Sequence, residues 1–370
     1  VIVEKIEAIA LRIPFAGTDG SDTAAWSGKG APAADSLLVK VTTSDGLVGW
    51  GETFGFGVVP AAKAAIETMI APLCVGMRAD RIAPLMRDIQ AKLHIFGRGG
   101  PVMYGISALD IALWDLLGKA CGVPVHRLLG GARDTTVEAY ASLERFTRPD
   151  IVHARVRRAV DDGYRHVKLH EVELDSLHAA RDAAGPDIGL MLDVNCAWDF
   201  ETATRRVADL QAIHPRWLEE PLWPPEDVES LARLRRISPL PIAAGENAST
   251  LVEFERMLAL GAVDVVQPSP AKMGGLTELV KVAALAESRN VTLMIHTFYD
   301  GPGLLAAIHA TAALGGKDSM VEWRCFDLEA NLYANALVPS GGRIAVPQGP
   351  GLGLEPDPDV IHDYVVRCDQ

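Results

Sequence analysis

From Thr135 onward the chain repeats one pattern: a short apolar run bounded by turn residues, then a stretch with apolar residues at helical spacing. Thr136–Ala141, His166–His170, Gly189–Val194, Trp217–Glu220, Ile242–Gly245, Val263–Gln267, Thr292–His296 and Met320–Trp323 read as strands. Helical patterns fall between them at Ile151–Asp162, Thr202–Ile213, Glu226–Ile237, Leu251–Leu260 and Leu276–Arg289. Runs that are apolar throughout, rather than alternating, suit strands buried on both faces. Repeated βα units of that kind predict an α/β parallel barrel, whose functional side chains gather at the C-terminal ends of the strands.

The first 130 residues lack this repeat. Val1–Ile13, Ser36–Thr43 and Leu47–Glu52 read as strands, the last two joined by a hairpin at Ser44-Asp45-Gly46. Gly17–Pro32 is a loop rich in Gly, Ser, Ala and Asp with Trp26 at its centre. Helices follow between Val59 and Asp115, and Ile106–Leu117 is expected to end near Gly118. The tail from Asn331 has many Gly and Pro and is expected to pack back on this α+β region.

Composition narrows the partners. A formal charge of −13 argues against nucleic acid and anionic membrane surfaces, and no apolar stretch reads as long enough to span a bilayer. Cys74, Cys121, Cys196, Cys325 and Cys368 are scattered without CxxC spacing, which fits a reducing cytoplasm rather than a disulfide or zinc framework.

The chemistry is carried by the strand ends. Asp193, Glu219 and Glu246 each close an apolar run, an expensive place for a carboxylate unless its charge is compensated. Three converging there need a cation, and hard oxygen ligands select Mg²⁺ or a similar ion. Lys168 and His170 stand two apart on one strand and so share its inner face. His296 ends a later strand as a second acid/base, and Glu322 closes the set from the last. Together they suit removal of the proton next to a carboxylate: the cation and Lys168 stabilise the growing enolate charge, and a base reaches the α-carbon. Lys168 and burial are expected to lower the pKa of His170.

These residues, with Ser107-Ala108-Leu109-Asp110-Ile111-Ala112-Leu113-Trp114-Asp115-Leu116-Leu117-Gly118-Lys119, Pro124 and Leu128-Leu129-Gly130-Gly131, resemble the enolase superfamily in its mandelate racemase/muconate lactonizing branch. The resemblance implies a capping domain (1–130), a modified TIM barrel of (β/α)7β form (131–330) and a C-terminal segment (331–370) completing the cap. It implies one Mg²⁺ per subunit at Asp193, Glu219 and Glu246, with Glu219 chosen over Glu220 as the first acid of its pair. It also implies a homo-oligomer acting on a small carboxylate.

Two positions depart from the family pattern: His170 replaces the second Lys of Lys-x-Lys, and Ser269 stands where Asp or Lys is usual. A base and an acid on opposite faces then favour β-elimination, by dehydration or ring opening, from a sugar acid or its lactone or anhydro form. A racemase or epimerase is the first alternative, a non-catalytic metal-stabilised binding protein the second. Trp26, Phe54, Phe56 and Tyr299, with Asn195 and Ser269 at strand ends, are the expected substrate-binding residues.

Overall fold

The structure, a computed structural model, describes residues 1–16 and 33–366. Trp26 and Cys368 lie outside the described residues. Strands β1 (Val3–Pro14), β2 (Ala33–Thr43) and β3 (Val48–Glu52) form an antiparallel sheet in that order. The hairpin turns where expected: Gly46 adopts φ +84°, and the Thr43 hydroxyl donates to Asp45 Oδ1 at 2.6 Å. Alternate residues of β3, Gly49 and Gly51, lie against the helix Gly100–Cys121. A Cβ at either would stand 2.3 Å from the Ala112 carbonyl oxygen or 1.9 Å from that of Ala108. Only bare backbone permits that approach.

That helix runs a turn beyond its expected end. Gly118 serves a contact rather than a stop, since a Cβ there would lie 2.6 Å from Gly351 Cα. The helix ends at Gly122, left-handed at φ 68°, whose N–H reaches back to Gly118 and Lys119. A second correction concerns Phe56–Cys74, a continuous helical run of 19 residues long and apolar enough by composition to cross a membrane. Lys63 and Glu67 interrupt its apolar pattern in the sequence, and the two pair with each other. Val59, Ala62, Ile66, Ile70 and Cys74 from this run pack into the core against β1, β2 and the long helix.

The second sheet is parallel. β4 (Thr136–Ser142), β5 (His166–Leu169), β6 (Gly189–Asp193), β7 (Leu218–Glu219), β8 (Ile242–Ala244), β9 (Val265–Val266), β10 (Thr292–Leu293) and β11 (Val321–Arg324) curl in the order β10-β9-β8-β7-β6-β5-β4-β11. A helix follows each of β4 to β10, whereas β11 leads to β12 (Arg343–Ala345), antiparallel on β4. This is a (β/α)7β modified TIM barrel. At the seam between β10 and β11, Ser319 Oγ donates to the Leu293 carbonyl and Thr297 Oγ1 to that of Glu322, both at 2.7 Å. Strands β7, β9 and β10 are shorter than the apolar runs suggest. Pro268 has no N–H to give to the ladder, yet it still accepts from His296 N at 3.1 Å, so the chain beyond β10 stays in register.

Inside the barrel, Tyr140, Met191, Trp217, Ala243, Val265, Met294 and Met320 form a buried cluster of their own. The long helix is tied to the barrel by polar groups. Ser107 Oγ accepts from Gly274 N at 2.8 Å and Asp110 Oδ1 from Thr277 N at 3.0 Å, while Asp115 ties the helix to β3 and to the tail by accepting from Trp50 N and Leu352 N at 2.9 and 2.7 Å. At the tail, Val365 bridges to Leu11 of β1.

Candidate active site

Lys168 is buried inside the barrel at 1% exposure. Its Nζ lies 2.8 Å from Glu322, 3.0 Å from Glu219 and 3.4 Å from Asp193. Burial alone would lower its pKa, but the charges of Glu219 and Glu322, then Tyr140 and Asp193, raise it well above the ordinary lysine value. Lys168 is an ammonium held by acids, and it does not snorkel out.

One oxygen from each of Asp193, Glu219 and Glu246 lies within 4.8 Å of the others. They reach this point from the ends of β6, β7 and β8. Glu219 also accepts from Trp217 Nε1 at 2.9 Å. Burial, with Asp193 and Glu322 adding to it against Lys168, pushes Glu219 up to about 7. Glu220 turns the other way at φ 45° and accepts from Gly245 N at 3.0 Å and Cys196 Sγ at 3.2 Å. Three carboxylate donors, with Glu322 beside them and Lys168 and Lys272 against them, fit a hard divalent cation.

His170 follows β5. Its Nδ1 lies 2.5 Å from the Leu143 carbonyl and its Nε2 3.4 Å from Asp193 Oδ2. Burial lowers its pKa, but the hydrogen bond and charge of Asp193 outweigh burial and Lys168, and the net shift is upward. This corrects the expected lowering, which weighed Lys168 and burial without Asp193.

His296 sits across the acid cluster with Nε2 2.8 Å from Glu246 Oε2 and Nδ1 3.2 Å from Ser269 Oγ. Ser269 is in turn hydrogen-bonded to the Tyr299 hydroxyl, and both are buried. Ser269 and Tyr299, expected at the substrate, stand behind His296 instead. Burial lowers the pKa of His296, but Glu246 raises it further. Glu322 accepts from Thr297 N at 3.3 Å, which fixes its carboxylate beside Lys168.

The cavity over this cluster is lined by Lys168, His170, Asp193, Asn195, Glu246 and His296 below and by Phe54, Phe56, Phe298, Arg324 and Phe326 above. Asn195 takes φ 48° and its N–H donates to Asp193 Oδ1 at 2.9 Å. Left-handed non-glycine residues just past β6 and β7 mark strain at the strand ends, where such strain accompanies function. The sequence analysis did not single out Phe298, Arg324 or Phe326. Arg324 had a usable signal, since it lies two residues past Glu322 on a strand. Lys272, 3.7 Å from Glu246 and over the ring of Phe54, adds a further positive charge.

A parallel barrel under an α+β cap, with carboxylates at three successive strand ends and an imidazole on either side, defines an enzyme of the lyase/isomerase type. Residues 152–360 match the enolase C-terminal domain-like family and residues 26–130 the mandelate racemase/muconate lactonizing enzyme N-terminal domain. The chain belongs to the mandelate racemase/muconate lactonizing branch of the enolase superfamily. It is 29% identical to arabinonate dehydratase of Saccharolobus solfataricus over 94% of this chain and 95% of that one. It is 32% identical to 3,6-anhydro-alpha-L-galactonate cycloisomerase of Streptomyces coelicolor over 86% and 88%. A solved racemase from Streptomyces coelicolor with bound magnesium superimposes with a TM-score of 0.86 at 29% identity, covering 99% of this chain and all of that one.

Proposed function

We propose that the enzyme abstracts the proton α to the carboxylate of a sugar acid, or of its lactone or anhydro form, and then expels the β-oxygen. The observation that carries this reading is the pair of imidazoles on opposite sides of one acid cluster, each with its ring orientation fixed. Nδ1 of His170 donates to the Leu143 carbonyl, which leaves Nε2, facing Asp193 Oδ2 at 3.4 Å, as the nitrogen that acts as base once that carboxylate is engaged by a cation. On His296, Nε2 lies 2.8 Å from a carboxylate oxygen and therefore carries a hydrogen. Nδ1 then accepts from Ser269, and His296 is a proton donor. Similarity to a dehydratase and a cycloisomerase supports elimination, and similarity to a solved racemase keeps racemisation as the alternative that the test must separate.

Asp193, Glu219 and Glu246 would hold Mg²⁺, which supplies a fixed positive charge where the substrate carboxylate gains electron density. Lys168 holds a second positive charge beside Glu219 and Glu322. His170 takes the α-proton, the electron pair forms the enolate, and its collapse breaks the bond to the β-oxygen. His296 gives that oxygen its proton. The enol product then tautomerises to a 2-keto acid, and in a ring the departing oxygen stays attached to the molecule.

The test is turnover of a panel of acid sugars and their lactones with Mg²⁺ in D₂O. The expected product is a 2-keto acid, lost in His296→Asn and His170→Asn. Recovery of α-deuterated substrate with its epimer, and no keto acid, would establish racemisation instead. No turnover of any acid, with Mg²⁺ bound, would leave the metal-stabilised binding protein standing.

A further inference from the structure

Strand β11 carries Glu322 inward to Lys168, and its two-residue repeat places Arg324 on the same face, one step nearer the barrel mouth. The Arg324 side chain is 6% exposed. Its guanidinium carbon lies 4.2 Å from the ring centroids of Phe298 and Phe326 and 6.0 Å from that of Phe56. Nη1 is engaged by Asp300 Oδ2 at 2.9 Å and the Phe298 carbonyl at 3.4 Å. Nε and Nη2 are buried and have no hydrogen-bond partner among the described residues.

Ring faces attract a cation but do not replace a hydrogen-bond acceptor, so two donors of a charged group are left unsatisfied. They are not an arbitrary pair. Nε–H and Nη2–H leave the planar guanidinium side by side, the spacing that meets both oxygens of one carboxylate. Asp300 holds the opposite corner and so fixes the plane of the fork without filling it. Among the charged groups lining the cavity above the acid cluster, Arg145 and Arg324 outnumber Glu144.

We propose that Arg324 determines specificity by taking the distal carboxylate of a dicarboxylic sugar acid or its lactone, whose other carboxylate meets the cluster of Asp193, Glu219 and Glu246. This rests on the sugar-acid reading above. Phe54, Phe56, Phe298 and Phe326 line the same cavity as Arg324 and the acid cluster, an apolar wall for the C–H groups of the carbon chain.

The experiment compares a matched aldaric and aldonic acid, alike except for carboxylate against hydroxymethyl at the far end, in Mg²⁺. Wild type should favour the aldaric acid by about tenfold or more in kcat/KM. Arg324→Gln should lose at least about tenfold more on the aldaric than on the aldonic acid, chiefly through KM. Arg324→Lys keeps the charge and a partner for Asp300 but not the fork, and should fall between the two. Equal losses on both acids, or a wild-type preference for the aldonic acid, would overturn the assignment. Should wild type turn over neither acid, the elimination reading fails by itself, and calorimetric titration of the Mg²⁺-loaded proteins with the same two acids decides on Arg324. Selective weakening of aldarate binding in Arg324→Gln then upholds it, and equal binding by wild type and variant rejects it.

Discussion

Glu219 shows how a single side chain can favour function over stability. It is fully buried, and burial with the charges of Asp193 and Glu322 works against its ionised form. Glu219→Gln keeps one acceptor oxygen, enough for Lys168 or Trp217 but not for both, since the two meet different carboxylate oxygens at 3.0 and 2.9 Å, and it removes one negative charge from the cluster. In chelator this variant should unfold at a higher temperature than wild type, because replacing a repelled buried charge relieves the fold. It should also lose the Mg²⁺-dependent rise in midpoint that wild type shows. Thermal scans with chelator and with Mg²⁺ read both effects, and a lower midpoint for the variant in chelator would contradict them. Ser269 and Tyr299 act one residue removed from the chemistry. With no carboxylate behind it, His296 is oriented by a serine hydroxyl that is itself held by a phenol. Ser269→Ala and Tyr299→Phe should each lower kcat by about 10- to 100-fold with little change in KM, since neither side chain lines the cavity. A rise in KM with kcat intact would instead return both residues to substrate binding.

At the scale of elements, β3 is the tightest joint, because Gly51 brings its backbone against the Ala108 carbonyl. Gly51→Ala should cost about 3 kcal/mol or more, as overpacking that neither backbone can relieve. Urea unfolding measures it, and a loss below about 1 kcal/mol would show that sheet and helix can part. The strands were legible because a parallel barrel needs them apolar on both faces, and that composition shows in a single chain. The meeting of Asp193, Glu219 and Glu246 was legible for the same reason, since each ends such a run. What did not show was where each ladder stops. Apolar character continues through Val263–Gln267, while the strand proper is Val265–Val266, flanked by single ladder bonds from Asp264 N to the Ile242 carbonyl and from Gln267 N to that of Ala244 before Pro268. The end of the long helix was misplaced because Gly118 looks like a stop, and only the fold reveals Gly351 packed against it. Phe298 and Phe326 were invisible for another reason. They lie in connections with no period, and a loop aromatic gives no sign of which cavity it faces.

On the scale of the whole molecule, cap and barrel meet at a buried carboxyl that couples their union to pH. Glu52, at the end of β3, accepts from Gly301 N at 3.0 Å and Gly303 N at 2.9 Å, at the start of the helix Pro302–Leu314. Burial, then the charge of Asp300, pushes its pKa from 4.5 up to about 8, against the pull of those backbone N–H groups. Between these values the folded protein keeps the proton and the unfolded chain has released it, so stability falls as pH rises through that window. Below 4.5 both states are protonated and the penalty is absent. Buried His309 has the opposite sign. Burial lowers its pKa from 6.5 to about 4, so its contribution is lost as pH falls through that interval. Glu52→Gln separates the two, because the amide oxygen can still accept from Gly301 and Gly303 while the His309 contribution cancels in the comparison. The stability of Glu52→Gln relative to wild type should therefore climb by a few kcal/mol between about pH 5 and pH 8. Urea midpoints measured across that range for both proteins give the difference directly. Parallel curves would mean that Glu52 titrates alike in the folded and unfolded chains, and that the pH dependence of the joint between cap and barrel does not come from this carboxyl.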